Sequence, residues 1–253
     1  MCELEVVKWR STSAAHNSFQ GKKMNFEGAG RDVSVEQWDQ SWAAGRTGFH
    51  KSEVHGTLLK HFSKLVDGRS DLNVFLPLCG KTLDLKWIAD QGHRAVGVEF
   101  SELACRSFFS EQKVEYTSTP MEDVPNGMVH TSKDGKIKLF QCDFYLFTEE
   151  HAGKYDIIWD RASLVAVNIS DRTKYAEKVI SLLKPDGAYL LNTFDYNQDA
   201  FSGPPHSVPF KIIQSLYEKS CNIELLEDND VTAGWKRMGV KYFHEIVSLL
   251  KQK

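Results

Sequence analysis

The residues that could do chemistry in this chain stand at the ends of short apolar runs. The run "VFLPL" leads into Cys79-Gly80-Lys81. A loop that cradles a pyrophosphate at the start of a nucleotide-binding sheet uses G-x-G-x-x-G, for a tight turn, close backbone approach and helix packing. This loop has one glycine, Gly80, preceded by Pro77, Leu78 and Cys79. A single glycine still lets backbone approach a ligand. It leaves little room for a pyrophosphate, so the ligand it suits is a nucleoside without phosphates, unless the loop is a plain tight turn. Glu99 ends "AVGVE" at about 20 residues beyond the loop, the spacing at which an acidic side chain binds ribose hydroxyls. A carboxylate only accepts hydrogen bonds and can take two hydroxyls together. NAD and S-adenosylmethionine both carry a ribose, so Glu99 does not choose between them.

Three further groups follow the same pattern. Asp143-Phe144 ends "IKLFQCDF", where an acceptor can bind an adenine amino group and a phenyl ring can stack on its face. The alternative is a buried Phe144 and a turn-forming Asp143. Asp160-Arg161 directly follows "YDIIW". The two charges could pair with each other only, but the carboxyl ends of strands form the functional edge of such a sheet. Arg161, planar and permanently charged, suits an anionic or aromatic partner. Trp38, Trp42 and Phe49 make an aromatic set near the start of the ordered chain. Such a set is ordinarily core, yet aromatic faces are also natural neighbours for a cation that cannot hydrogen-bond, such as a sulfonium.

The elements that must position these residues alternate. Ser34 and Gln37 form a capping box for a helix with Val35, Trp38 and Trp42 on one face and Gly45 as its stop. A second helix carries Val54, Leu58, Phe62, Leu65 and Val66 as its stripe and ends before Gly68. Beyond it, "NVFLPL", "RAVGVEF", "YDIIWD" and "AYLLNTF" read as strands separated by helical segments, one of them N-capped by Ser101. "MVHTSKDGKIKLFQCDF" reads as a hairpin turning at Asp134-Gly135 whose second arm joins the sheet. "CNIELLE" and "YFHEIVSLLK" read as a terminal hairpin. Strand–helix alternation with apolar strands implies a parallel sheet covered on both faces. No repeat of 20–50 residues occurs.

Composition narrows the classes. The chain has 253 residues and a net charge of -3. Nothing in that balance points to nucleic acid or an anionic membrane surface. No apolar run is long enough to span a bilayer, and the N-terminus has no apolar signal segment. Residues 1–31 lack periodicity and are expected to be disordered, leaving 32–253 as one domain. The five cysteines (Cys2, Cys79, Cys105, Cys142, Cys221) are scattered, with no C-x-x-C pair. They read as free thiols of a reducing, cytoplasmic setting. His50, His55 and His61 are not at metal-ligand spacing on one face, so no metal is expected. A monomer is the default in the absence of heptads.

Taken together, the sequence resembles the thiopurine S-methyltransferases. The resemblance runs from about residue 33 to the C-terminus and is carried by "EQWDQSWAAGRTGFH", "VFLPLCGK", "VGVEFSEL", "YDIIWDRASLVAV" and "GPPHSVP". It implies a Rossmann-like class I methyltransferase fold: a seven-stranded, mostly parallel α/β sheet with an antiparallel last strand and helices on both faces. It implies S-adenosylmethionine as methyl donor and aromatic or heterocyclic thiols, thiopurines among them, as acceptors. By position, Trp38, Trp42, Phe49, Leu78, Gly80, Glu99, Asp143, Phe144 and Arg161 would bind the donor. Phe49 and Arg161 would also face the acceptor, with Arg161 and Asp160 as the catalytic pair. The chain departs from the vertebrate pattern at Asp143, which is closer to bacterial members, at Ala162, Ser163 and His206, and around Trp235-Lys236. These departures bear on acceptor preference, not on donor binding.

The reaction expected is direct displacement by an acceptor sulfur acidic enough to need no strong base. Arg161 would favour the thiolate and Asp160 would orient it or take a stray proton. Three other readings compete. A nicotinamide-dependent reductase lacks its glycines here. A donor-binding module without turnover would bind the nucleoside and methylate no thiol. A methyltransferase of other thiols, or of selenium or tellurium species, would keep the donor site and change the acceptor.

Overall fold

The computed structural model describes residues 32–253; the expectation of disorder over 1–31 lies outside the described residues. Its helices are α1 (Val35–Ala43), α2 (Gly56–Val66), α3 (Asp84–Asp90), α4 (Glu102–Glu111), α5 (Glu149–Ala152), α6 (Arg172–Ser181), α7 (Phe210–Tyr217) and α8 (Thr232–Trp235). Its strands are β1 (Asn73–Leu76), β2 (Arg94–Glu99), β3 (Tyr116–Pro120), β4 (Met128–Ser132), β5 (Ile137–Gln141), β6 (Tyr155–Arg161), β7 (Leu183–Tyr196), β8 (Cys221–Asp230) and β9 (Phe243–Gln252).

The strands form one sheet in the order β3-β4-β5-β2-β1-β6-β7-β9-β8. Strands β5, β2, β1, β6 and β7 run parallel. β9 inserts antiparallel between β7 and β8, as expected of the last strand. The run β5-β2-β1-β6-β7-β9-β8 is therefore the seven-stranded sheet that the resemblance implies. Two antiparallel strands, β3 and β4, extend it to nine. The β4–β5 hairpin turns at Gly135, whose φ of 74° is open to glycine. β3, "YTSTP", is exposed along its whole length and shows no alternation that would announce a strand.

Both faces of the sheet are covered. Phe75 of β1 packs with Val96, Phe140, Ile158 and Tyr175 on one side. Its neighbours Val74 and Leu76 pack with Leu58, Leu85, Phe108 and Trp159 on the other. Period-two alternation between two apolar layers is the reason β1 reads as a continuous apolar run. The chain leaves β1 for β2 on one side and later adds β6 on the other. That makes the β1–β6 boundary the switch point, and ligands of open α/β sheets bind outside the carboxyl ends of such strands.

The N-terminal segment is fastened over this edge. The Ser34–Gln37 capping box forms in both directions, and the Val33 amide donates to Asn168 Oδ1 at 2.8 Å. Ser101 precedes α4 without a side-chain cap bond; its hydroxyl goes to Asp39 Oδ1 of α1 at 2.5 Å instead. A residue expected only to start one helix therefore ties two together.

Candidate active site

A cavity of about 1230 Å³ opens at the carboxyl ends of the central strands. Single-ligand pockets run to roughly 1,000 Å³, so this one has room for a donor and an acceptor side by side. Nine of the ten candidate residues line it: Trp38, Trp42, Phe49, Leu78, Gly80, Glu99, Asp143, Phe144 and Arg161. The sequence spreads these residues over five segments; the sheet gathers them on one edge.

The loop after β1 is built around Glu99. Gly80 N donates to Glu99 Oε2 and Ser101 N to Oε1, each at 2.8 Å. One carboxylate therefore holds the loop after β1 and the turn after β2 together. Burial raises its pKa above the ordinary 4.5, and the amides of Ser101 and Gly80 pull part of the way back. Gly80 has φ +55°, and a Cβ there would stand 2.9 Å from the Trp42 ring. The glycine is needed for two reasons at once: the left-handed backbone and the close approach of the roof. Leu78 also takes a left-handed backbone, with φ 43°.

The roof is aromatic. Phe49 stands edge-on to Trp38 and Trp42, with ring centroids 5.5 and 5.2 Å away. The Phe49 carbonyl accepts a hydrogen bond from Arg161 Nη1 at 2.9 Å, so the roof is pinned to the end of β6. At the far end, Asp143 Oδ1 accepts from the Tyr145 amide at 2.9 Å. Phe144 is buried between Phe75 and Tyr175 while one surface reaches the cavity. Both readings of that pair hold in part: Asp143 forms a turn, Phe144 packs in the core, and both border the cavity.

Asp160 is the exception. It is fully buried and does not border the cavity. Strand residues alternate faces. Arg161 therefore points with Trp159 toward the cavity, and Asp160 points the other way. Its Oδ2 accepts from Tyr175 OH at 2.6 Å and Tyr189 OH at 2.8 Å. Its Oδ1 accepts from the amides of Ser163 and Leu164 at 3.2 and 3.3 Å. Burial raises its pKa, and these four donors work against that rise. The expectation that Asp160 is a catalytic partner of Arg161 is corrected. It shapes the turn after β6, where Ala162 has φ 65°, and so sets where Arg161 begins.

Arg161 lies deep in the wall, its charge opposed by burial and favoured by Asp84 and Glu245. Its Nε is buried with no partner. Arg161 nonetheless lines the cavity, and a planar guanidinium suits an anionic ligand. Sequence reasoning did not place His55, Glu245, Phe194, Arg237 or Met238 here, yet all border this end of the cavity. His55 had been weighed only as a metal ligand, and Glu245 sits inside an ordinary strand pattern. Among the described residues, no cluster of three or more His, Cys, Asp or Glu could hold a metal ion.

The thiopurine S-methyltransferase profile matches residues 33–253. The chain belongs to the thiopurine S-methyltransferase family. A probable thiopurine S-methyltransferase of Danio rerio is 45% identical over 202 residues, covering 80% of this chain and 87% of the relative. The Oryctolagus cuniculus thiopurine S-methyltransferase is 42% identical over 224 residues, covering 88% and 91%. Among solved structures, the 1,6-didemethyltoxoflavin-N1-methyltransferase of Burkholderia thailandensis superposes with a TM-score of 0.59 at 13% identity, covering 87% of each chain. An S-adenosylmethionine-dependent methyltransferase of Anabaena variabilis gives 0.58 at 12%, covering 88% of this chain and 98% of that one. At such identities the structures speak for the fold: a class I methyltransferase sheet.

The positions read from the sequence as departures from the vertebrate pattern fall at different depths around the cavity. Ala162 borders the cavity. Ser163 does not; its hydroxyl donates to the Pro77 carbonyl at 2.7 Å and ties the β6 turn to the β1 loop. His206 is buried, 1% exposed, behind Pro204 and Pro205, which do border the cavity. Near Trp235 the cavity takes Arg237 rather than Lys236.

Proposed function

We infer that this enzyme transfers a methyl group from S-adenosylmethionine to the sulfur of aromatic and heterocyclic thiols, thiopurines among them. The observation that carries the reading is the convergence of Glu99, the one-glycine loop, the aromatic roof and Arg161 on one cavity, in a chain of this family.

The residues fit the donor. Glu99 uses one lone pair of each oxygen on backbone amides and keeps others for ribose hydroxyls. The loop at Gly80 offers backbone without a pyrophosphate cradle. Trp38, Trp42 and Phe49 supply aromatic faces for a cation, and Asp143 and Phe144 offer a carboxylate and a ring to an adenine. When bound, S-adenosylmethionine supplies an electrophilic methyl group for direct displacement by the acceptor sulfur. The protein's own work is alignment and exclusion of water. The roof closes the cavity from above. Arg161 lends its positive charge to the cavity wall and favours the thiolate over the thiol. Asp160 acts through the turn after β6 and touches neither ligand. We further propose residues 32–253 as one catalytic domain, a monomer, and a cytoplasmic setting. The free state of Cys79, Cys105, Cys142 and Cys221 agrees with that setting.

The test is calorimetric titration with S-adenosylhomocysteine, followed by turnover of labelled donor with 6-mercaptopurine. Binding with turnover is expected. Absence of binding would overturn the donor site. Binding without turnover on any thiol would overturn the acceptor assignment.

A further inference from the structure

At the acceptor end of the cavity stands a histidine that the mechanism above leaves idle. His55 precedes α2, and its backbone amide donates to Asp84 Oδ1 at 2.9 Å. Its ring stands beside the indole of Trp159, tilted by 51° with centroids 5.6 Å apart. Trp159 Nε1 donates to the other oxygen of Asp84 at 2.7 Å. One carboxylate thus fixes both the backbone of His55 and the indole beside its ring. On the open side, His55 Nε2 faces Glu245 Oε1 across 3.8 Å. That is too long for a direct hydrogen bond and leaves room for a third polar atom off the line between them. Glu245 Oε1 is itself held by Asn192 Nδ2 at 2.8 Å. His55 Nδ1 is sealed from solvent with no partner. Both His55 and Glu245 line the same cavity as Arg161.

We propose that His55, seated by Asp84 and backed by Glu245, is a catalytic residue that takes the proton of the acceptor thiol at Nε2. The proposal rests on the thiol methyltransferase reading and deepens it. The step uses the tautomer with its hydrogen on Nδ1 and its lone pair on Nε2, on the side of Glu245. The acceptor's S–H bond breaks and an N–H bond forms at Nε2. The electron pair stays on sulfur and makes the new S–C bond. The imidazolium faces the Glu245 carboxylate until its proton passes to water at the cavity mouth. The charged groups around His55 are Arg161 at the end of β6, Glu245 on β9, Asp84 at the start of α3, and Lys51 in the loop before α2. Burial and then Arg161 hold the imidazole below its ordinary 6.5, against the pull of Glu245 and Asp84, so the ring is neutral and ready to accept near pH 7.

The need for such a group depends on the acceptor. Electron-poor thiols arrive ionised and require only Arg161. Electron-rich aryl thiols arrive protonated in larger part at mildly acidic pH, and there a general base raises the rate by up to the inverse of the thiolate fraction. The experiment is kcat/KM at one pH for a series of para-substituted thiophenols, in the parent enzyme and in His55→Gln. Near pH 6 the expected result is a loss of roughly 5-fold for 4-methoxythiophenol, the limit set by its thiolate fraction, and little loss for 4-nitrothiophenol. Equal loss across the series would mean a merely structural role, and no loss would mean none; either overturns the proposal. S-adenosylhomocysteine calorimetry on the same variant reports whether it folds. If it does not, Glu245→Gln replaces it. Removing that carboxylate should move the acid limb of the pH profile with 4-methoxythiophenol to lower pH, and an unmoved limb overturns the proposal. A parent enzyme that methylates no thiol would sink the functional reading itself, whereas failure of His55 alone leaves parent turnover intact.

Discussion

Glu99→Ala removes a carboxylate whose two oxygens each hold a backbone amide at 2.8 Å, Gly80 N on one and Ser101 N on the other. An ionised carboxylate has about four acceptor sites, so about two remain for ribose hydroxyls. Each hydrogen bond to a charged group contributes about 1.5–3 kcal/mol net. Losing two converts to roughly 10²–10⁴-fold in donor affinity, at about 1.4 kcal/mol per factor of ten. The variant also leaves two amides without their acceptor, at about 1–3 kcal/mol each. Water entering from the cavity brings that cost toward its lower end. The assay is calorimetric titration of parent and variant with S-adenosylhomocysteine, beside thermal unfolding of both without ligand. Glu99→Gln should fall between the two, since its amide nitrogen must face a backbone N–H. Acidification should act in the same direction. Burial raises the Glu99 pKa above 4.5, so donor affinity should begin to fall at a pH above 4.5 as the carboxylate takes up a proton and loses acceptor capacity. A variant that binds S-adenosylhomocysteine as tightly as the parent would refute the ribose assignment, whatever its melting temperature.

The other predictions concern the rest of the cavity wall. Arg161→Ala should lower kcat/KM by about 10²-fold, the scale of losing one preorganised donor, while S-adenosylhomocysteine affinity changes far less; Arg161→Lys should restore little, because an ammonium cannot serve the Phe49 carbonyl and an anion in one plane. Comparable losses in affinity and turnover would argue that Arg161 serves the donor alone. Asp160→Ala strands two tyrosine hydroxyls and two amides, at about 3–5 kcal/mol in all, and should lower the melting temperature by roughly 10 °C. A variant with parent-like melting and a selective loss of turnover would return Asp160 to a catalytic role. Gly80→Ala places a Cβ 2.9 Å from Trp42 at φ +55° and should weaken both donor affinity and stability, by about 1–2 kcal/mol for the backbone alone; differential scanning fluorimetry with and without S-adenosylhomocysteine reads both, and an unchanged pair of melting temperatures would count against the tight roof.

The central strands were legible because burial on both faces leaves no polar side to confuse an apolar run, as in "NVFL" and "YDIIW". Glu99 and Gly80 were legible for a related reason: strand-end positions and their spacing are properties of the chain itself. β3 was not, since "YTSTP" is exposed along its length and is held as a strand by its ladder with β4. Asp160 was misassigned although its orientation follows from strand alternation; adjacency in sequence suggested a shared site that the pleat forbids. His55 was passed over because its meaning depends on Glu245, which only the insertion of β9 into the sheet brings opposite.

That insertion also shapes how the protein must be made. β9 pairs along its length with β7 on one side and β8 on the other, yet it is synthesised after both. Until Phe243–Gln252 leaves the ribosome, β7 carries an open ladder of amides and carbonyls beside the apolar side chains of Tyr189, Leu190 and Leu191. An unpaired edge of that length invites pairing with another chain. The nascent chain is therefore most vulnerable to misassembly in the interval between finishing β8 and finishing β9. Substitutions that slow the docking of β9 should reduce yield in cells by a larger factor than they reduce the activity of each folded molecule.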